Sequence, residues 1–163
     1  MNSAADRAGY FGSPDGAGSW VWRGKELFDA RGHLIADVRA DVLRVDQHRL
    51  LLERSPERMT FGLRGTAVDG TVYLIEQSSF TLAHLSADCQ GRVYELWRAK
   101  PWRKDRIVTD QRSGKRVVRI RPRMDGSVEV EDGPDIDSFP MLDVVFLSYA
   151  CTLIDAPGAN LRI

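Results

Sequence analysis

The chain is 163 residues long, 43% hydrophobic and 28% charged, with 23 basic residues against 23 acidic ones and two cysteines. A chain of this length makes one domain able to bury roughly 70% of the surface it exposes when unfolded, so neither a disulfide scaffold nor a structural metal is demanded. No apolar h-region opens the sequence and no apolar run is long enough to span a bilayer. Both observations argue against a secretory signal and a transmembrane segment, and they predict a cytoplasmic protein with free thiols whose membrane contact, if any, is peripheral.

Residues 1–19 are rich in Gly, Ala, Ser, Asp and Pro and offer only Tyr10 and Phe11 for burial, so a disordered tail is expected there. The folded domain is expected over 20–157, followed by a short tail at 158–163. Residues 26–28 and 33–38 form the arms of a hairpin, with Gly32 placed where the turn needs positive φ. Residues 42–45 and 50–53 flank the polar Asp46-Gln47-His48-Arg49, either as a second hairpin or with the leucine run as one helical turn. The clearest hairpin covers 59–77, where Val68-Asp69-Gly70-Thr71 reads as a two-residue turn. Residues 80–85 are read as a strand that turns through Asp88-Cys89-Gln90-Gly91 into 92–97. Pro101, which has no N–H to donate, breaks the ladder, and pairing resumes over 106–109 and 116–121 around the turn at 110–114.

Side-chain alternation selects the next turn. If Met124-Asp125-Gly126 is a three-residue loop with Gly126 in the left-handed conformation, Ile120 faces Val130, Pro122 faces Val128, Arg121 faces Glu129 and Arg119 faces Glu131. A two-residue loop would mix the apolar and charged faces. The pairing also bears on charge. Residues 92–123 hold twelve basic and three acidic residues, a net of +9, while 124–163 hold one basic and eight acidic, a net of −7. A basic strand lying beside an acidic one accounts for much of this segregation.

The last element, 139–155, is the only long apolar run. Asp137 or Ser138 can cap it, Pro140 is tolerated in its first turn, and Pro157-Gly158 stop it. Leu142, Val145, Phe146, Tyr149 and Leu153 make one face, yet Val144, Leu147, Cys151 and Ile154 cover the other, so the helix must be enclosed. Its reach of ~22 Å falls short of a ~30 Å hydrocarbon core, and Asp143 lies within it, so protein rather than lipid is expected to surround it. Asp143 then requires a partner, for which a barrel arginine suffices. Ser148, Thr152 and Asp155 share a narrow side; they either mark a polar lumen, seam or wet edge, or bond back to helix carbonyls. Counting roughly nine to eleven strands before this helix, the sequence predicts a mainly β fold: a closed antiparallel β-barrel wrapped around a C-terminal hydrophobic helix.

Three hairpins share one outline, in which an Asp and a short turn lead through Gly into a β-branched or aromatic strand: Asp29-Ala30-Arg31-Gly32, Asp88-Cys89-Gln90-Gly91 and Asp110-Gln111-Arg112-Ser113-Gly114. Hairpins of this outline closed by an apolar C-terminal helix resemble the tubby C-terminal-like group, which includes the phospholipid scramblases and LURP-one-related proteins. The resemblance covers Trp20 to Asp155 and is architectural. It implies a barrel threaded by its helix and activities centred on membranes: phosphoinositide binding in tubby proteins, and phospholipid or calcium handling in scramblases. The chain departs from the group in having no cysteine-rich run and no carboxylate cluster with calcium-loop spacing, and it is shorter than a tubby domain. The fold therefore carries over and no functional residue does.

The most suggestive surface stretch is Trp97-Arg98-Ala99-Lys100-Pro101-Trp102-Arg103-Lys104-Asp105-Arg106, where aromatics interleave with cations at a strand break. Trp102 at a lipid interface, with Arg98, Lys100, Arg103, Lys104 and Arg106 on phosphates, would suit an anionic phospholipid surface. Single-stranded nucleic acid is the less favoured anionic partner. The plainer alternative makes Trp97 a core strand residue, Trp102 a cover for the barrel edge, and the charges solvated. His33, His48 and His84 stand alone, and no Cys-x-x-Cys, G-x-S-x-G or phosphate-binding glycine loop occurs, so no catalytic residue, metal site or cofactor is assigned. Asp132, Asp135 and Asp137 offer only a weak cation site, and Cys151 is expected to be an apolar filler.

These observations predict a non-enzymatic binding or scaffold domain that meets anionic membrane lipids peripherally. The alternatives are a small-ligand carrier or enzyme with a pocket at the barrel mouth, and recognition of a protein partner through an uncovered strand edge. Arginine outnumbers lysine 19 to 4, as in chains from GC-rich bacterial genomes.

Overall fold

The computed structural model describes residues 19–55 and 60–156; the two expected tails lie outside them except for Ser19, which already belongs to the first strand. Twelve strands, rather than nine to eleven, run in chain order: β1 (Ser19–Arg23), β2 (Glu26–Phe28), β3 (Leu34–Arg39), β4 (Val42–Val45), β5 (His48–Arg54), β6 (Gly62–Ala67), β7 (Val72–Gln77), β8 (His84–Cys89), β9 (Arg92–Arg98), β10 (Arg106–Asp110), β11 (Arg116–Pro122) and β12 (Val128–Asp132). Each pairs antiparallel with its sequence neighbours, and β1 closes on β12 with Trp20 opposite Val130, making one closed barrel. A 310 turn (Ile136–Ser138) leads into α1 (Met141–Asp155).

The barrel encloses that helix, as the apolar pattern predicts. Eight strands make a barrel whose own side chains fill the interior; twelve leave a wider lumen that something else must occupy. An α-helix with side chains is about 10–12 Å across and fits that role. Helix α1 touches β4, β7 and β11, three strands spread around the ring, and its residues 143–151 are all buried. Inward-facing Trp20, Trp22, Leu43, Leu50, Ile75, Leu85, Leu96, Val118 and Ile120 alternate with outward residues and form one core with Val144, Phe146, Leu147 and Cys151. Gly65 on β6 makes room for the helix: a Cβ there would stand 3.2 Å from Phe146 Cε2.

Register follows the alternation. The β11–β12 loop has three residues, Gly126 has φ +91°, and Ile120↔Val130, Arg121↔Glu129 and Arg119↔Glu131 pair as expected. The ion pairs themselves run diagonally, Arg121 to Glu131 and Arg123 to Glu129. Elsewhere the expectations need correction. The β6–β7 turn is also a three-residue loop, with Ala67 bonded to Thr71, because a two-residue turn would rotate Leu63 and Tyr73 onto opposite faces. Residues 42–54 form a hairpin and not a helical turn. Cys89 is buried at the end of β8 and not in the turn, which is only Gln90-Gly91, both at positive φ. Phe80 lies in the loop before β8 rather than in a strand. Neither Asp137 nor Ser138 caps α1, since Pro140 occupies the cap position and its carbonyl accepts from Asp143 and Val144 N–H. Closure of the ring leaves no uncovered strand edge among the described residues, which removes the structural basis for partner recognition by edge pairing.

Because every connection is a hairpin, the turns fall alternately at the two ends of the barrel. The β2–β3, β4–β5, β6–β7, β8–β9 and β10–β11 turns surround the start of α1, here called the amino end. The β7–β8, β9–β10 and β11–β12 loops lie side by side at the carboxy end, where α1 stops.

Candidate functional site

The basic aromatic stretch forms the β9–β10 loop, residues 99–105, at the carboxy end. Its root is fixed from both sides of the barrel wall. Ala99 N–H donates to the Asp105 carbonyl at 2.8 Å, and Arg98 N–H to the Ala83 carbonyl at 3.0 Å. Arg103 N–H donates to the Lys100 carbonyl at 3.1 Å, closing a β-turn with Pro101 at its second position, where the ring presets φ. Trp102 therefore sits at the apex and is 77% exposed. Lys100 Nζ lies 5.8 Å from the centre of its ring, and Lys100, Arg103 and Lys104 are all exposed. Outside the barrel, Asp105 is buried and accepts from Arg119 Nη2 at 3.0 Å, with Arg121 Nε 3.6 Å away. The loop thus presents an indole and three cations from a clamped base.

Arg106 is a correction to the sequence assignment. It is completely buried, points into the lumen, and binds Asp155 in the last turn of α1 through Nε and through Nη2, the latter at 3.0 Å. Burial works against its charge, but the hydrogen bond to Asp155 and the neighbouring Cys151 and Asp155 hold its pKa above the ordinary arginine value. It cannot reach a phosphate outside. Arg98 stands directly opposite it on β9, also faces inward, and reaches Asp155 Oδ1 at 3.4 Å while a quarter of its side chain remains accessible. One carboxylate therefore separates two like charges that cross-strand pairing would otherwise set against each other. This triad was legible in principle, because alternation from Leu96 and Val108 places Arg98 and Arg106 on the inner face. Their position beside the Trp102 loop in the chain obscured it.

Trp97 is another correction. It lies on the outer face, 50% exposed, and stacks on His84 with ring centres 3.7 Å apart. His84 Nε2 is hydrogen-bonded to Glu95, whose carboxylate also accepts from Ser86 Oγ at 3.0 Å. Sequence reading treated these residues singly, since the strand register that joins them was not fixed. Ser86 Oγ donates to the Glu95 carboxylate and accepts from Ser78 Oγ at 2.8 Å, so it is not joined to the imidazole in a serine–histidine relay.

At the amino end Asp143 finds the partner its burial requires: Arg92 Nε at 2.6 Å, Arg92 Nη2 at 3.0 Å and Tyr94 Oη at 2.5 Å. Burial, then the bond to Asp143, pushes the Tyr94 phenol well up, and the carboxylate holds Arg92 above its usual range. Ser148 and Thr152 bond back to the Val145 and Tyr149 carbonyls, and Ser148 also accepts from Trp22 Nε1 at 2.9 Å. Asp132, Asp135 and Asp137 do not converge: among the described residues no group of three His, Cys, Asp or Glu side chains could hold a metal, and Asp135 pairs with Lys115. Cys151 is buried in the core and its thiol is pushed up to about 12 by burial, while Cys89 is raised further by the same cause. Among the described residues no helix is long and apolar enough to cross a membrane. No family model, curated protein or solved structure matches the chain.

Proposed function

We propose that this chain is a non-enzymatic binding domain that associates peripherally with anionic membrane lipids through its β9–β10 loop. The observation that carries the reading is an exposed indole at the apex of an anchored β-turn, with Lys100, Arg103 and Lys104 exposed around it. Tryptophan suits the headgroup level, and each juxtamembrane cation is worth about 1 kcal/mol against an acidic leaflet. Arg98 supports the loop from its root and Arg106 acts as its buried anchor. A closed barrel with its helix in the lumen is the architecture that the resemblance to the tubby C-terminal-like group implies. The helix occupies the space that a carrier or enzyme pocket would need, which counts against the other readings.

The test is sedimentation with phosphatidylcholine vesicles containing phosphatidylserine, over a salt series. Binding is expected at low ionic strength, weakening as screening shortens below ~10 Å. Arg103→Glu with Lys104→Glu should weaken it by about a hundredfold, from two cations of about 1 kcal/mol each reversed in sign and partly screened. Equal binding by the variant and the unaltered chain would remove the proposal.

A further inference from the structure

The geometry points to an end-on docking face in which three loop tips, Phe80, Trp102 and Met124, insert together into an anionic bilayer with the barrel axis perpendicular to the membrane surface. This rests on the lipid reading above and adds to it a depth, an orientation and two residues outside the basic stretch.

The three tips come from the β7–β8, β9–β10 and β11–β12 loops, which successive strand pairing sets side by side at the carboxy end. Phe80 and Met124 are fully exposed and Trp102 nearly so. An exposed large apolar residue needs no explanation when solitary; three at the tips of neighbouring loops on one rim share a direction into which they can insert. The loop around Phe80 is Ser78-Ser79-Phe80-Thr81-Leu82-Ala83, without a charge, so it has nothing with which to read a phosphate but can enter a headgroup layer. The flanking tips carry the complement. Lys100, Arg103 and Lys104 surround Trp102, and Arg123 precedes Met124. Asp125, the acid in that turn, faces Arg23 at 3.8 Å and accepts from Ser127 N–H at 2.9 Å.

The opposite end is mixed in charge, and Val68 is the exposed apolar residue at its β6–β7 tip. Asp29, Asp69, Asp88 and Asp110 cap its turns, each accepting a backbone N–H at 2.7–3.1 Å. Exposed Arg31, Arg49, Arg112 and Lys115 stand in or beside the turns of this end and offset these carboxylates, so an acidic leaflet favours the carboxy end, where cations outnumber carboxylates in the three loops, and this sets the axis. A fluid surface accepts separate convex tips, whereas a nucleic-acid strand needs a continuous cationic groove with stacked rings, and methionine offers no ring.

Cys89 and Cys151 are buried and free, so a cysteine introduced on the surface can be labelled selectively. Phe80→Cys, Trp102→Cys, Met124→Cys and, at the amino end, the exposed Val68→Cys would each carry an environment-sensitive fluorophore. With phosphatidylcholine–phosphatidylserine vesicles, a blue shift is expected at positions 80, 102 and 124 and none at 68. In the unlabelled chain, Phe80→Ser with Met124→Ser should lower the binding that survives high salt by about tenfold, while leaving low-salt attraction through Arg103 and Lys104 largely intact. Vesicle binding with a shift at 102 alone, or with equal shifts at both ends, overturns the three-tip face and spares the basic-loop reading. Failure of the unaltered chain to sediment with vesicles overturns both, as does a shift produced by a single-stranded oligonucleotide and not by vesicles.

Discussion

A buried arginine is tolerable only while something answers its charge. Arg106 is inaccessible to solvent and its answer is Asp155, which also serves Arg98. Removing the carboxylate leaves two guanidinium groups facing each other, one of them unable to swing into water. Asp155→Leu should therefore cost about 3–5 kcal/mol. Replacing Arg106 by Met as well as Asp155 by Leu removes the trapped charge together with its partner, and most of the loss should return. Urea denaturation of the two single variants and the double variant checks this as a thermodynamic cycle, with strong coupling between positions 49 residues apart as the expected result. Equal losses that simply add would show that the pair is not coupled. The effect belongs to stability first, and it bears on the site because the same arginine begins the strand that leaves the Trp102 loop.

At the scale of the element, what matters is how the chain leaves the wall and enters the lumen. Gly133 follows β12 and donates its N–H to the Val117 carbonyl at 2.8 Å. A Cβ at that position would stand 2.4 Å from the Arg116 oxygen and 2.7 Å from that of Val117. Both are backbone atoms of a paired strand, so relief requires the ladder to move. At Gly65 the nearest atoms, at 3.2 and 3.3 Å, are the ends of Phe146 and Leu50 side chains, which can yield. Gly133→Ala is thus expected to lose at least about 2 kcal/mol and Gly65→Ala about 1 kcal/mol, and comparison of urea midpoints checks the order. The sequence made the helix and most hairpins legible through alternation and Asp-to-Gly turns. It gave the β11–β12 register by setting arginines against glutamates, and the same reasoning applied to Leu63 and Tyr73 would have identified the β6–β7 loop. What it hid was the role of residues whose partners are distant. Gly133 in a Gly-Pro pair reads as an ordinary turn, and Arg106 among loop cations reads as another cation, until the ring is closed and the helix placed.

For the whole molecule, barrel and helix are one structure because neither buries its apolar surface alone. The inner faces carry Trp20, Trp22, Leu50, Ile75, Leu85 and Leu96, and a twelve-stranded ring is too wide for these side chains to meet across an empty lumen. Without α1, Arg92 and Tyr94 lose Asp143, Arg106 loses Asp155, and Trp22 Nε1 loses Ser148. Each is left with a buried or half-buried polar group lacking its partner, in addition to the exposed apolar lining. A chain ending at Pro140 should for these reasons fail to make a native barrel. The expected signature is loss of near-ultraviolet circular dichroism, binding of a hydrophobic dye, and a broad urea transition in place of a cooperative one. Retention of a sharp transition with native tryptophan signal would mean that the ring holds itself open without its filling. In that case the space inside would become available to a ligand, as a carrier requires.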